Sequence, residues 1–142
     1  DQAADLGVDG IIVQLGLAET LKGPIDRALA KGIKVVAFDV DLNTPQVTQV
    51  EQDHHALARL ALDQAVKENG TRFDAGYVYI SGFTPMERRD EIWSQVKKAN
   101  PGIIEKARFG TLNPPIANSV ADQASAVLRA NPDISVIFAP FD

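Results

Sequence analysis

VDGIIVQLGLAETLKGPIDRALAKGIKVVAFD, residues 8–39, decides the fold class. Its ends, VDGIIVQL (8–15) and IKVVAFD (33–39), are short apolar runs bounded by Gly and Asp, with the β-branched content of strands buried on both faces. Between them AETLKGPIDRALAKG (18–32) places Leu21, Ile25, Ala28 and Leu29 at helical spacing and stops at Gly32, a natural C-cap. Strand, helix, strand is the unit from which parallel sheets are built, because parallel neighbours need a crossover.

The pattern continues outward. GYVYISG (76–82) and ISVIFAP (134–140) read as further buried strands, and VTQV (47–50) and EKARFG (105–110) as weaker ones. Helical patterns cover residues 53–70, 85–100 and 118–131, and the first residues read as the last turn of a helix. In 53–70 the stripe is Leu57, Leu60, Ala61 and Ala65; in 118–131 it is Val120, Ala124, Val127 and Leu128. The class expected is α/β, with parallel sheets flanked by helices. One segment breaks the alternation. Residues 41–53, DLNTPQVTQVEQD, are polar with a short strand and no helix, which suits a crossover between lobes or an edge hairpin.

The chain has 142 residues, is 45% hydrophobic and 23% charged, and carries a net charge of −5. The acidic balance and scattered basic residues argue against nucleic acid, which wants a clustered basic face. No apolar run reaches the roughly 18 residues of a membrane span. Without cysteine there is no disulfide framework, thiolate metal site or cysteine nucleophile. The chain opens without Met and closes where a connecting loop should begin, and so reads as a fragment of a longer protein.

Ligands of parallel α/β sheets bind outside the carboxyl ends of the strands. Here those ends are Gln14-Leu15-Gly16, Asp39-Val40-Asp41, Ser81-Gly82-Phe83 and Phe141-Asp142. No G-x-S-x-G elbow, phosphate-cradling loop, dinucleotide fingerprint or H-E-x-x-H is present, so neither a catalytic set nor a metal or cofactor is expected. His54-His55 reads as an exposed helix start behind an Asp53 N-cap, since adjacent helical residues cannot jointly face one metal. Asp39, with no helix to follow, belongs at the mouth of the sheet, as a ligand-binding carboxylate or a loop cap.

GFTPMERRDEIW (82–93) fits a capping box, with Thr84 as N-cap, Pro85 first in the helix and Glu87 three residues on. Counting about 100° per residue puts Glu87, Asp90 and Glu91 on the solvated side, Arg88 at the margin, and Arg89 inside the stripe of Ile92 and Val96. An arginine there needs a polar partner. It either pairs with a crevice aspartate, Asp39 or Asp142, or aims its fork of donors at ligand oxygens.

The pieces GVDGIIV, GIKVVAFD, EQDHHALARLALDQ, ISGFTPMERRDEIW and ANPDISVIFAPFD occur in an order that resembles the periplasmic sugar-binding proteins of ABC transporters, of the ribose- and galactose-binding type. The resemblance covers essentially the whole chain and implies parts of two Rossmann-like lobes of a type I periplasmic-binding-protein fold. Residues 1–50 would be the later part of the N-terminal lobe and 51–142 most of the C-terminal lobe, with the interlobe crossover near 41–53. Ligand-binding positions implied by matching motifs are Asp39, Phe83, Arg89, Asn113 (in the loosely matched TLNPP), Phe141 and Asp142. The sequence departs from the family at Val40, where many relatives have a basic residue, at Ile92, where the arginine motif has glycine, and at Phe141, which replaces a sugar-binding Asn. An extra aromatic there suits stacking on a sugar face or a less hydroxylated ligand.

The function this resemblance implies is an extracytoplasmic, periplasmic solute-binding protein that is not an enzyme. It would capture a monosaccharide or small polyol by hinge closure and deliver it to an ABC transporter permease. The alternative is the effector-binding core of a lactose-repressor-type transcription regulator, which resembles the same fold; an α/β enzyme is a third class, for which no catalytic set assembles beyond Asp39, Arg89 and Asp142.

Overall fold

A computed structural model describes residues 1–141. In chain order the elements are α1 (Gln2–Asp5), β1 (Gly10–Gln14), α2 (Ala18–Ala30), β2 (Lys34–Phe38), β3 (Thr48–Val50), α3 (His54–Asn69), β4 (Arg72–Val78), α4 (Thr84–Ala99), β5 (Gly102–Phe109), α5 (Ile116–Ala130) and β6 (Ile134–Phe138). All strand pairings are parallel, in two sheets ordered β1-β2-β3 and β5-β4-β6. The chain divides into two compact units. One holds residues 1–54 with 82–87; the other holds residues 55–81 and those from Arg88 onward.

In the first unit, β1 and β2 pair in register from Gly10 opposite Lys34 to Gln14 opposite Phe38. The helix joining them, α2, covers one face. Ile25 packs into a core with Val35, Ala37, Val40, Leu42 and Val47, and Leu21 and Leu29 seal its margin. The stripe expected from spacing is therefore the buried one. Gly32 follows the helix at φ 81°, the left-handed turn for which a glycine C-cap is suited. Burial of β1 on both faces is not found. Ile11 and Val13 face the core, whereas Ile12 on the opposite face is 79% exposed. Segment 41–53 contributes β3, which runs parallel to β2. That excludes an edge hairpin, whose strands would be antiparallel.

In the second unit, β4 is central. Phe73, Ala75 and Tyr77 of β4 meet Ala58 and Leu62 of α3, Ile92, Trp93 and Val96 of α4, Ile103 of β5 and Phe138 of β6. Tyr77 stacks on Phe138 with centroids 5.2 Å apart, and Trp93 lies tilted against both rings at 5.6 and 5.8 Å. Each such pair adds about 1 kcal/mol beyond area burial. The weaker strand expectations both hold, and two readings need correction. β4, expected from the run at 76–82, begins at Arg72, four residues before that run. The buried stripe of α3 is His54, Ala58 and Leu62, while Leu57 is half-exposed and Leu60 is 73% exposed.

Candidate functional site

Asp39 ends β2 with φ 53°, a left-handed conformation that costs a non-glycine residue energy and is tolerated best by Asp and Asn. Its backbone N–H donates to Val50 O at 3.0 Å, continuing the ladder to β3. The side chain is buried, and Oδ1 accepts two hydrogen bonds: from His54 Nε2 at 2.9 Å and from Gln52 N–H at 3.3 Å. His54 is 2% exposed. The exposed helix start read from sequence is thus wrong for His54 and right for His55, which pairs with Glu91 at 2.8 Å on the surface. Helical phase separates them, with His54 one and two turns from buried Ala58 and Leu62. That i, i+4, i+8 spacing was the available signal, and the expected stripe, set one residue off, hid it. The buried carboxylate has the partner it requires in this histidine of its own unit.

The start of α4 also differs from expectation. The helix begins at Thr84 itself, and the N–H groups of Met86 and Glu87 bond to Phe83 O. Thr84 Oγ1 instead accepts from Asp41 N–H at 3.1 Å, and Glu87 accepts from Gly82 N–H at 2.8 Å. The threonine thereby ties the loop after β2 to the segment before α4. Phe83 is half-buried in this segment, within the first unit.

In the second unit the strand order reverses at β4, since β5 lies on one side and β6 on the other. The carboxyl ends of β4 and β6 therefore form a topological switch point, where such sheets bind ligands. Arg89 is placed there. It sits one turn into α4, half-buried, and its Nη1 donates to Pro140 O just beyond β6. Beside it runs a cavity of about 410 Å³ lined by Leu57, Ala61 and Ala65 of α3 and by Val136–Pro140. Asp90, expected on the solvated face, is half-buried and pairs with Arg108 at 3.1 Å. A larger cavity, about 630 Å³, opens among Arg72, Gly102 and Asp133 at the amino ends of the strands, the wrong end for ligand binding.

Phe141 is half-buried immediately after this strand end. Asn113 is exposed in the loop between β5 and α5, its N–H on Thr111 Oγ1 at 3.0 Å. Asp142 lies outside the described residues.

A family model described as "Periplasmic binding protein domain" matches residues 1–142. The chain belongs to this family. Among solved structures it is similar to a 5-methylthioribose transporter solute-binding protein from Thermotoga lettingae, in complex with 5-methylthioribose. The identity is 29% and the TM-score 0.92, covering 97% of this chain and 44% of that one. A sugar ABC transporter protein from Yersinia enterocolitica gives 30% identity and TM-score 0.89, covering 96% and 42%. An ABC transporter solute-binding protein from Agrobacterium vitis with bound allitol shares the fold at 21% identity and TM-score 0.83, covering 96% and 48%. The chain thus spans less than half the length of these three proteins. A search of curated proteins found no match. The type I periplasmic-binding-protein fold expected from the ordered motifs is the fold found. Among the described residues no helix is long and apolar enough to cross a membrane.

Proposed function

We propose that this chain is part of an extracytoplasmic solute-binding protein that captures a monosaccharide or small polyol by hinge closure and delivers it to an ABC transporter permease. The observation that carries the reading is the likeness, over 97% of the chain, to the 5-methylthioribose transporter protein. The similar proteins named above are all transport proteins, which favours capture over the regulatory alternative. In this reading residues 1–50 belong to the N-terminal lobe and 51–142 to the C-terminal lobe, and periplasmic placement follows from the family.

Ligand contacts are assigned to Asp39, Phe83, Arg89, Asn113, Phe141 and Asp142. Asp39 offers an acceptor to a hydroxyl, and Arg89 offers donors to ring or hydroxyl oxygens. An aromatic at position 141 suits stacking on an apolar sugar face. Closure follows when a ligand binds the closed population better than the open one.

The test is calorimetric titration of the full-length protein with D-ribose, D-arabinose, D-galactose, 5-methylthioribose and allitol. At least one should bind, and Arg89→Ala should weaken it on the order of 100-fold, the loss of hydrogen bonds from a charged donor. Wild-type affinity in a folded Arg89→Ala protein would remove the arginine from the site. Failure of all five to bind would count against the sugar reading itself.

A further inference from the structure

Among the described residues, the buried charged or polar side chains are two, Asp39 and His54, and they are bonded to each other. With Oδ1 of Asp39 as the acceptor, His54 Nε2 is the donor of this bond. Oδ1 is then filled, by His54 at 2.9 Å and by Gln52 N–H at 3.3 Å. Among the described residues no hydrogen bond reaches Oδ2, and Oδ2 is not among the atoms sealed from solvent. The Asp39 side chain keeps 9% exposure and His54 1%. One oxygen is tethered from inside the protein and the other is presented outward, at the carboxyl end of β2, by a residue in a strained left-handed backbone state.

We propose that His54 is a positioning residue for ligand binding, holding Asp39 Oδ1 so that Oδ2 alone is offered to a ligand hydroxyl. The proposal rests on the reading of Asp39 as a ligand contact. It has a chemical consequence for what is bound. A cation or diol that needs to span both carboxylate oxygens is refused, because Oδ1 has no acceptor capacity left. A single neutral hydroxyl, approaching Oδ2 along a fixed direction, is what the arrangement accepts. Prior fixation of the rotamer removes an ordering cost that the ligand would otherwise meet.

The experiment is a double-mutant cycle in the full-length protein, read by calorimetric titration with whichever of the five sugars above binds best. His54→Leu is expected to weaken binding about tenfold. His54→Gln, which keeps an N–H of similar reach, should restore most of the affinity. Asp39→Asn should weaken binding, and adding His54→Leu to it should cost little more, because the histidine acts through the carboxylate. A histidine that merely stabilises the fold would instead shift the melting temperature and give additive losses. Additivity, or wild-type affinity in folded His54→Leu, overturns the positioning role while leaving Asp39 in the site. Wild-type affinity in Asp39→Asn removes Asp39 from the site and the proposal with it. If His54→Leu does not fold, His54→Asn replaces it. Its shorter amide should weaken binding, and undiminished affinity there overturns the proposal.

Discussion

Glu105 is the clearest electrostatic node among the single residues. Its carboxylate accepts from Trp93 Nε1 at 2.7 Å and from Arg108 Nε at 2.7 Å, and Lys97 also donates to it. Burial alone would raise its pKa, but the hydrogen bonds from Arg108, Lys97 and Trp93 outweigh burial and hold it at about 2. A depressed carboxylate stabilises the folded state fully above its ordinary value near 4.5, and that contribution is lost as pH falls toward 2. The melting temperature should therefore decline between about pH 5 and pH 2.5, and Glu105→Gln should lower stability at pH 7 while flattening that decline. Thermal melts of both proteins across the range decide it, and parallel curves would refute the assignment. At this scale the sequence was legible where geometry is local. A helical count separates Arg89 from Arg88, and a strand end marks Asp39. It was illegible where the partner comes from another element, as with His54 on Asp39 or Arg108 on Asp90.

Elements were legible where apolarity is continuous and blurred where it is not. β4 begins with Arg72-Phe73-Asp74-Ala75, four ladder positions hidden because the polar Arg72 and Asp74 interrupt the apolar run; Asp74 faces Lys106 at 3.2 Å and not the core. The α3 stripe was misplaced because Leu57 and Ala61 line the cavity beside β6, so the most hydrophobic line along the helix is not its most buried one. Backbone constraints at strand ends were equally hidden. Gly110 closes β5 at φ 156°, and a Cβ there would lie 2.5 Å from Tyr79 O, beyond any side-chain adjustment. Gly110→Ala should therefore cost about 2 kcal/mol or more, with Tyr79 N–H losing its 2.8 Å bond to Phe109 O if the strand shifts to relieve the clash. Denaturant unfolding measures this, and a change below about 0.5 kcal/mol would show that the loop yields freely.

At the scale of the whole protein, the capture proposed above would have a thermodynamic signature. A ligand that binds only the folded state raises stability by mass action, by about 2.7 kcal/mol at 100 times its dissociation constant. Thermal shift across pentoses, hexoses and polyols should pick out one stereochemical group, with the shift growing with the logarithm of concentration; equal shifts from every sugar would mean preferential exclusion from the surface instead. The fold at this scale was readable because five ordered motifs agreed, while ligand identity was not, since the departure from the family's Asn at Phe141 names no ligand. One feature of the central strand reaches further than the site. β4 carries an irregularity at Ala75/Gly76 toward β5 and at Asp74/Ala75 toward β6, so both ladders break step at nearly the same point. A slip by one residue turns an entire strand inside out, exposing Phe73, Ala75 and Tyr77. Here a slipped alignment would have to match two offset neighbours at once, so β4 is keyed like a lock to a single register.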